Sequence, residues 1–449
     1  MPCFLNLQIE IYKSTNTKKD MQLENKLSTG QKKTLLCIFL GAFLLRVIFI
    51  FSYHNYDDIE KMKINGEEMI EIASHIVQGN GFSGKFILDT RVKPTAAMAP
   101  FYPYFLAFIL QVFGKYGYLT VQLIQAVISS LICIIIYLTG LKIFDKKIAF
   151  IASILAALYL PLIYYCTVIW GAIFFAFLVT LYIYYLLRLQ SDYNKYNLCF
   201  CGFILGIALL IDPVIVSFIP LSVLWLLFSL KTYIKISFKK VIMMLGITLV
   251  VITPWTIRNY ILFNKFVFIK SQAGFTLWLG NNPHASGTER LVNDDSTEYK
   301  LPEEEYQYLT NLDESERDRY FLLKALAFIK ENREKSIELF LKKFKSFWWV
   351  IEKKTTGFSE NTKIAVMKIT YGIPFVLALV GLLLSIKQIK SYMLIIFLFI
   401  SLSFIYSITV FPVYRYRLPV EPYLLLFSSV SLSQLLQNIF TKAGAEAKT

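Results

Sequence analysis

Apolar runs of roughly 17–25 residues recur along this chain of 449 residues, and that is the length an α-helix needs to cross ~30 Å of hydrocarbon. The runs are continuous rather than alternating, so they do not fit the strands of a membrane barrel. Inside a bilayer every backbone amide has to be bonded within the chain, which leaves a bundle of helices as the fold class: an all-α polytopic membrane protein. Composition points the same way. With 56% hydrophobic and 17% charged residues, the chain has too few polar side chains to cover a soluble domain of its size.

The formal charge of +15 would also suit a nucleic-acid binder, but its distribution argues against one. Lysines gather in short segments between apolar runs, as cytoplasmic loops require. No basic stripe interleaved with aromatics lies on a soluble segment, so no nucleic-acid partner is expected. The six cysteines (Cys3, Cys37, Cys133, Cys166, Cys199, Cys201) avoid both long outer segments, and no disulfide framework is implied. Residues 1–31 are polar and Lys-rich, so the first span is expected to act as an uncleaved anchor.

Lysine placement then sets the topology. A cytoplasmic tail (1–33) leads into a transmembrane module (34–257) whose first crossing is 34–53 and whose long first outer loop is 54–117. Within that loop Ala99 to Phe113 is apolar but short, with Pro100 and Pro103, and is expected to lie on or re-enter the membrane rather than cross it. Crossings follow at 118–141, 148–165, 168–187, 198–211, 213–230 and 241–257. Residues 258–368 have mixed charge and form an outer soluble segment. Phe321, Leu322, Ala325, Phe328 and Ile329 there predict an amphipathic helix within 314–347 lying against the membrane. Crossings at 369–386, 392–411 and 418–439, the C-terminal transmembrane part 369–439, and a cytoplasmic tail (440–449) bring the total to about ten spans.

Several groups could carry chemistry. Tyr56-Asp57-Asp58 follows the first span directly; a carboxylate held at the outer interface can take a proton from an attacking hydroxyl or amine, although solvated acids would look the same. Glu67, Glu71 and His75 fall on one helical face, a set that suits a divalent cation or a solvated surface. With three histidines in the chain, a His-rich zinc site is excluded. Arg46 sits roughly 18 Å along the first span at 1.5 Å per residue and is expected to have an anionic partner, because an arginine at such depth costs at least ~2.5–3.5 kcal/mol. Asp212 and Glu421 lie beside prolines near the outer ends of their spans. Arg415 and Arg417, in Tyr414-Arg415-Tyr416-Arg417, run against the positive-inside bias and suit recognition of a phosphate.

Five stretches together resemble a known family. They are Ile72-Ala73-Ser74-His75 with Gly79-Asn80-Gly81-Phe82, Pro94-Thr95-Ala96 with Ala99-Pro100-Phe101-Tyr102-Pro103, Pro254-Trp255-Thr256-Ile257-Arg258-Asn259-Tyr260, Leu277-Trp278-Leu279-Gly280-Asn281-Asn282-Pro283, and Tyr416-Arg417-Leu418-Pro419-Val420-Glu421-Pro422. In order and spacing they resemble bacterial glycosyltransferase family 39-like proteins, relatives of protein O-mannosyltransferases and of the lipid A aminoarabinose transferase. The resemblance implies a GT-C fold, a polyprenyl-phosphate-linked sugar donor, and an active site between the first outer loop and the membrane surface. It makes Asp57 and Asp58 the catalytic candidates and places Arg415 and Arg417 at the carrier phosphate. Arg46, Tyr102, Glu67, Glu71 and His75 complete the expected substrate-binding set. Where the family commonly has an Asp four residues before the loop helix's Tyr, this chain has, counting back from Ala73, Asn65 and Met69, and Cys166-Thr167-Val168-Ile169-Trp170 lacks the acid that the family often has in its second outer turn. No cofactor is required beyond a divalent cation that these departures put in question.

The expected function is therefore transfer of a hexosyl or pentosyl unit from a polyprenyl-phosphate donor to a protein, lipid or glycan acceptor at the extracytoplasmic face of the cell membrane. A transporter or flippase of lipid-linked saccharides is the alternative from another class; it would favour inverted repeats and midplane charges. An inactive GT-C-like envelope assembly protein is a third reading.

Overall fold

A computed structural model describes residues 28–53, 67–85, 91–191, 194–229, 238–287, 301–349, 358–410 and 413–446. Five of its helical stretches are long and apolar enough to cross a membrane: Thr29–Ser52, Phe101–Ile143, Ala172–Gln190, Phe238–Phe263 and Ile386–Thr409. Lys195–Leu209, Pro213–Phe228 and Lys368–Leu384 are shorter apolar helices. In chain order the elements used below are α1 (Thr29–Tyr53), α2 (Glu67–Val77), β1 (Ser83–Gly84), β2 (Lys93–Pro94), α3 (Phe101–Phe113), α4 (Gly117–Ile143), α5 (Lys146–Leu158), α6 (Leu160–Tyr164), α7 (Ala172–Ser191), α8 (Lys195–Leu209), α9 (Ile219–Ser229) and α10 (Phe238–Phe263). They continue as α11 (Ala273–Gly280), α12 (Glu303–Thr310), α13 (Glu314–Glu331), α14 (Arg333–Trp348), α15 (Phe358–Leu384), α16 (Ile389–Thr409) and α17 (Glu421–Glu446).

Local chemistry sets where these helices begin. Asp145 and Asn194 cap α5 and α8 by accepting from Ile148 N (2.9 Å) and Tyr196 N (2.9 Å), each satisfying a backbone donor that the first turn leaves free. Small residues let the helices approach closely, as bilayer packing requires. A side chain on Gly140 would lie 2.8 Å from Ala149 Cα, fixing α4 against α5. Gly202 and Gly206 bring α8 onto Met244 and Val251 of α10, and Thr248 seals that seam by donating to Gly202 O at 2.9 Å.

The apolar stretch 101–113 folds back. Gly114 (φ +51°) starts a short turn, Gly117 packs on Leu110, and Tyr102 OH reaches Gln125 Oε1 at 3.0 Å. α3 and α4 are thus an antiparallel hairpin, and the 13 residues of α3 span about 20 Å. A second departure from a simple span lies at Tyr159, where extended backbone (ψ 110°) separates α5 from α6.

At the same end of the bundle the chain builds a small cap. The β1–β2 pair places Ser83 opposite Pro94. α11–α14 share a core of Leu277, Trp278, Ala285, Leu309, Phe321, Ala325, Phe328 and Leu339. The amphipathic stretch expected over 314–347 is two helices, broken at Asn332. Its residues Phe321 and Ala325 bury against this core at 1% and 0% exposure, rather than facing a lipid surface, because α11 covers them. Leu323, Leu326, Ile337, Leu341 and Phe344 are the large apolar side chains left exposed there.

Candidate active site

The motif residues sort into those that assemble the cap and those that line a pocket. Glu314, at the start of α13, accepts from Thr95 Oγ1 (2.6 Å), Ala96 N (3.1 Å) and the Ser271 hydroxyl. Burial pushes its carboxyl above the usual range, and the three donors pull against that shift. Arg258 donates to Thr95 O (2.7 Å) and Phe82 O (3.1 Å) and lies over the Trp255 ring at 4.7 Å. Pro94-Thr95-Ala96 and the Pro254–Tyr260 stretch are therefore clamp residues that join the first loop to the cap. Asn281 donates to Ile408 O at 2.8 Å. Lys343, fully buried, donates to Gly280 O, Asn281 Oδ1 and Ile408 O at 3.0–3.2 Å, and desolvation pushes its pKa down to about 7.

The pocket lies where α2, α3, the turn before α7, the α8–α9 connection and the end of α16 meet. Met69, Tyr102, Trp170, Gly171, Ala172, Phe175, Ile211, Asp212, Tyr406, Arg415 and Tyr416 line it. Asp212 caps the 3-10 turn Pro213–Phe218 through Val214 N (3.2 Å), and the Tyr406 hydroxyl lies 3.4 Å from its Oδ2. Burial raises the Asp212 carboxyl, while the fields of Lys270 and Arg415 oppose that shift. Arg415 stands over the Trp170 ring at 4.5 Å and beside the Tyr416 ring at 5.4 Å. Tyr416 in turn stacks on Tyr406 with centroids 4.3 Å apart. The Arg415 Nε is buried with no hydrogen-bond partner among the described residues, so a charged donor is left at the pocket for an anion.

The other expected site residues are distributed differently. Asp57 and Asp58 lie outside the described residues; Met69 of α2, the next described helix in the chain, lines the pocket. Tyr102 lines its wall, with its hydroxyl committed to Gln125. Arg417 is 4% exposed, pairs with Glu421 (3.2 Å), donates to Phe347 O (3.1 Å) and covers the Tyr371 ring at 3.8 Å. Its guanidinium braces the turn that carries Arg415. On α2, Glu67 is exposed, while His75 Nε2 and Glu71 Oε1 are 3.9 Å apart. No group of three or more His, Cys, Asp or Glu that could hold a metal is assembled among the described residues.

Arg46 corrects the expectation of an anionic partner. It is fully buried and donates to neutral groups: Ser129 Oγ (2.8 Å), Ala42 O (2.9 Å), Ala157 O (3.2 Å) and Ala156 O (3.3 Å). The last two are terminal carbonyls of α5, which has no following turn to bond them; Pro161, with no N–H, could not have served Ala157. Asp212 is the site residue that the sequence left out of the set. Its signal was an Asp-Pro pair at a span end, a capping signature that does not reveal what the carboxylate faces.

Residues 94–257 match the family described as dolichyl-phosphate-mannose-protein mannosyltransferase. No curated protein matches the chain. Among solved structures, the oligosaccharyltransferase AglB from Archaeoglobus fulgidus, in complex with an inhibitory peptide and a dolichol-phosphate, is 13% identical with a TM-score of 0.56, covering 94% of this chain and 52% of that one. The A. fulgidus oligosaccharyltransferase tethered with an acceptor peptide is 14% identical, TM-score 0.53, over 91% of this chain and 50% of that one. The complex of the A. fulgidus enzyme with Zn and sulfate is 13% identical, TM-score 0.53, over 90% and 49%. The chain spans about half the length of these proteins. The fold is the GT-C type.

Proposed function

We propose that the chain is an integral membrane glycosyltransferase that moves a sugar from a polyprenyl-phosphate carrier to an acceptor hydroxyl or amine at the extracytoplasmic face. The observation that carries this reading is the pocket lined by Asp212 and Arg415, where the Arg415 Nε is buried with no hydrogen-bond partner among the described residues. The family match over 94–257 and the dolichol-phosphate bound by the archaeal structure support a lipid-phosphate donor. The lysine-rich connections on the far side of the bundle support the orientation.

In this reading Arg415 binds the carrier phosphate. The acceptor oxygen or nitrogen attacks the anomeric carbon, and the C1–O(phosphate) bond breaks with its electron pair passing to the phosphate. The acceptor's proton passes to a carboxylate, Asp57 or Asp58. Charge builds on the departing oxygen, which is where a fixed guanidinium stabilises the transition state. Asp212 takes hydroxyls of the transferred hexosyl or pentosyl unit. Tyr102 shapes the wall, and Glu67, Glu71 and His75 stand on α2 toward the acceptor; Glu71 and His75, 3.9 Å apart, have no third ligand for a divalent cation among the described residues. Arg46 and Arg417 act on the fold rather than on substrate.

The test is transfer by the purified protein from a panel of polyprenyl-phosphate sugars. Arg415→Ala is expected to weaken donor binding, Asp57→Asn or Asp58→Asn to lower kcat, and Asp212→Asn to raise KM for donor. Unchanged transfer in all four variants would sink the proposal. Movement of intact lipid-linked saccharide across a vesicle without transfer would favour a flippase.

A further inference from the structure

We infer that Trp170 is a positioning residue: its indole face fixes the Arg415 guanidinium in the orientation that receives an anionic phosphate. This rests on the phosphate role of Arg415 proposed above.

Residues 165–171 join α6 to α7 without regular helix, and local bonds such as Cys166 N to Ile163 O and Thr167 N to Tyr164 O turn the chain but leave the carbonyls of Cys166 and Thr167 to be held from elsewhere. α4 holds them from behind. Gln125 Nε2 donates to Cys166 O (2.9 Å) and Val168 O (2.9 Å), and Gln122 Nε2 donates to Thr167 O (3.0 Å). Both glutamines are fully buried. Trp170 N closes a tight turn onto Val168 O at 2.9 Å, and Gly171 lets the wall meet Ile211 and Tyr102 closely.

This wall presents Trp170 to Arg415 at 4.5 Å. A guanidinium stacked on an indole keeps its charge and its in-plane donors, so the ring orients the group without consuming its hydrogen bonds. A carboxylate at the same place would neutralise Arg415. The absence of an acid over 166–170 is thus consistent with a cation-orienting wall.

The experiment measures the affinity of the purified protein for a short-chain polyprenyl phosphate without sugar, together with the melting temperature and the donor KM and kcat. The variants are Trp170→Phe, Trp170→Leu and Arg415→Ala. Leucine keeps apolar bulk but has no π face, whereas phenylalanine keeps one. Trp170→Leu is expected to bind roughly tenfold more weakly and to raise KM more than it lowers kcat, with Trp170→Phe recovering much of the loss. Equal binding by the Phe and Leu variants, at matched melting temperatures, overturns the inference. If Arg415→Ala itself binds like the wild type, the phosphate role fails. If Arg415→Ala loses binding while Trp170→Leu retains it, only the role of Trp170 fails.

Discussion

Replacing Arg46 with methionine separates a structural arginine from a substrate-binding one. Methionine fills much of the same volume, so little cavity is left and the change is mainly loss of donors. Ser129 Oγ still donates to Leu162 O at 3.1 Å, and Ala42 lies within α1, where the helix bonds its carbonyl. The groups stranded are Ala156 O and Ala157 O, at the end of α5. Each buried acceptor left without a donor costs about 1–3 kcal/mol, hence ~2–6 kcal/mol for the pair. Relief of the buried charge, ~2.5–3.5 kcal/mol on insertion scales, offsets part of that. The net expectation is a loss of about 1 kcal/mol, with Arg46→Lys intermediate because one ammonium cannot replace both forks of the guanidinium. Denaturant unfolding in mixed micelles reads the loss, and donor affinity per folded molecule should stay at the wild-type value. A methionine variant of unchanged stability that binds donor poorly would refute the reasoning and return Arg46 to the substrate site.

Lys343 titrates at about 7 against ~10.4 when unfolded. Between those values the unfolded chain binds more protons, so stability rises with pH, by at most ~1.4 kcal/mol per pH unit. Melting from pH 7.5 to 9.5 should show this slope in the wild type and a flatter one in Lys343→Met. Glu314→Gln turns an amide donor toward Thr95, Ala96 or Ser271; it should cost about 1–3 kcal/mol and be read as faster proteolysis of the cap. Gly202→Ala sets a methyl against Met244 O of α10 and should destabilise by about 1–3 kcal/mol, visible as a lower melting temperature with donor KM unchanged.

Much of the architecture was legible along the chain. Helices occupy the apolar runs because hydropathy over a bilayer's width is a local property. The Pro94-Thr95-Ala96 and Pro254–Tyr260 motifs stood out as well, yet their work as a clamp on Glu314 did not, since Thr95 and Glu314 meet across more than two hundred residues. The two arginines of Tyr414–Arg417 read alike in sequence and differ in space: Glu421, one helical turn on, engages Arg417, while Arg415 turns to Trp170.

The sequence by itself determined that this is a membrane helix bundle, because burial in hydrocarbon demands long apolar helices whatever their partners are. Only the tertiary structure decided that Asp212, Trp170 and Arg415 share one pocket and that Arg46 answers to neutral carbonyls. Those facts depend on which helix ends meet and on which backbone groups a broken helix leaves unbonded. Neither is encoded in the local order of residues, because packing selects them across distant segments.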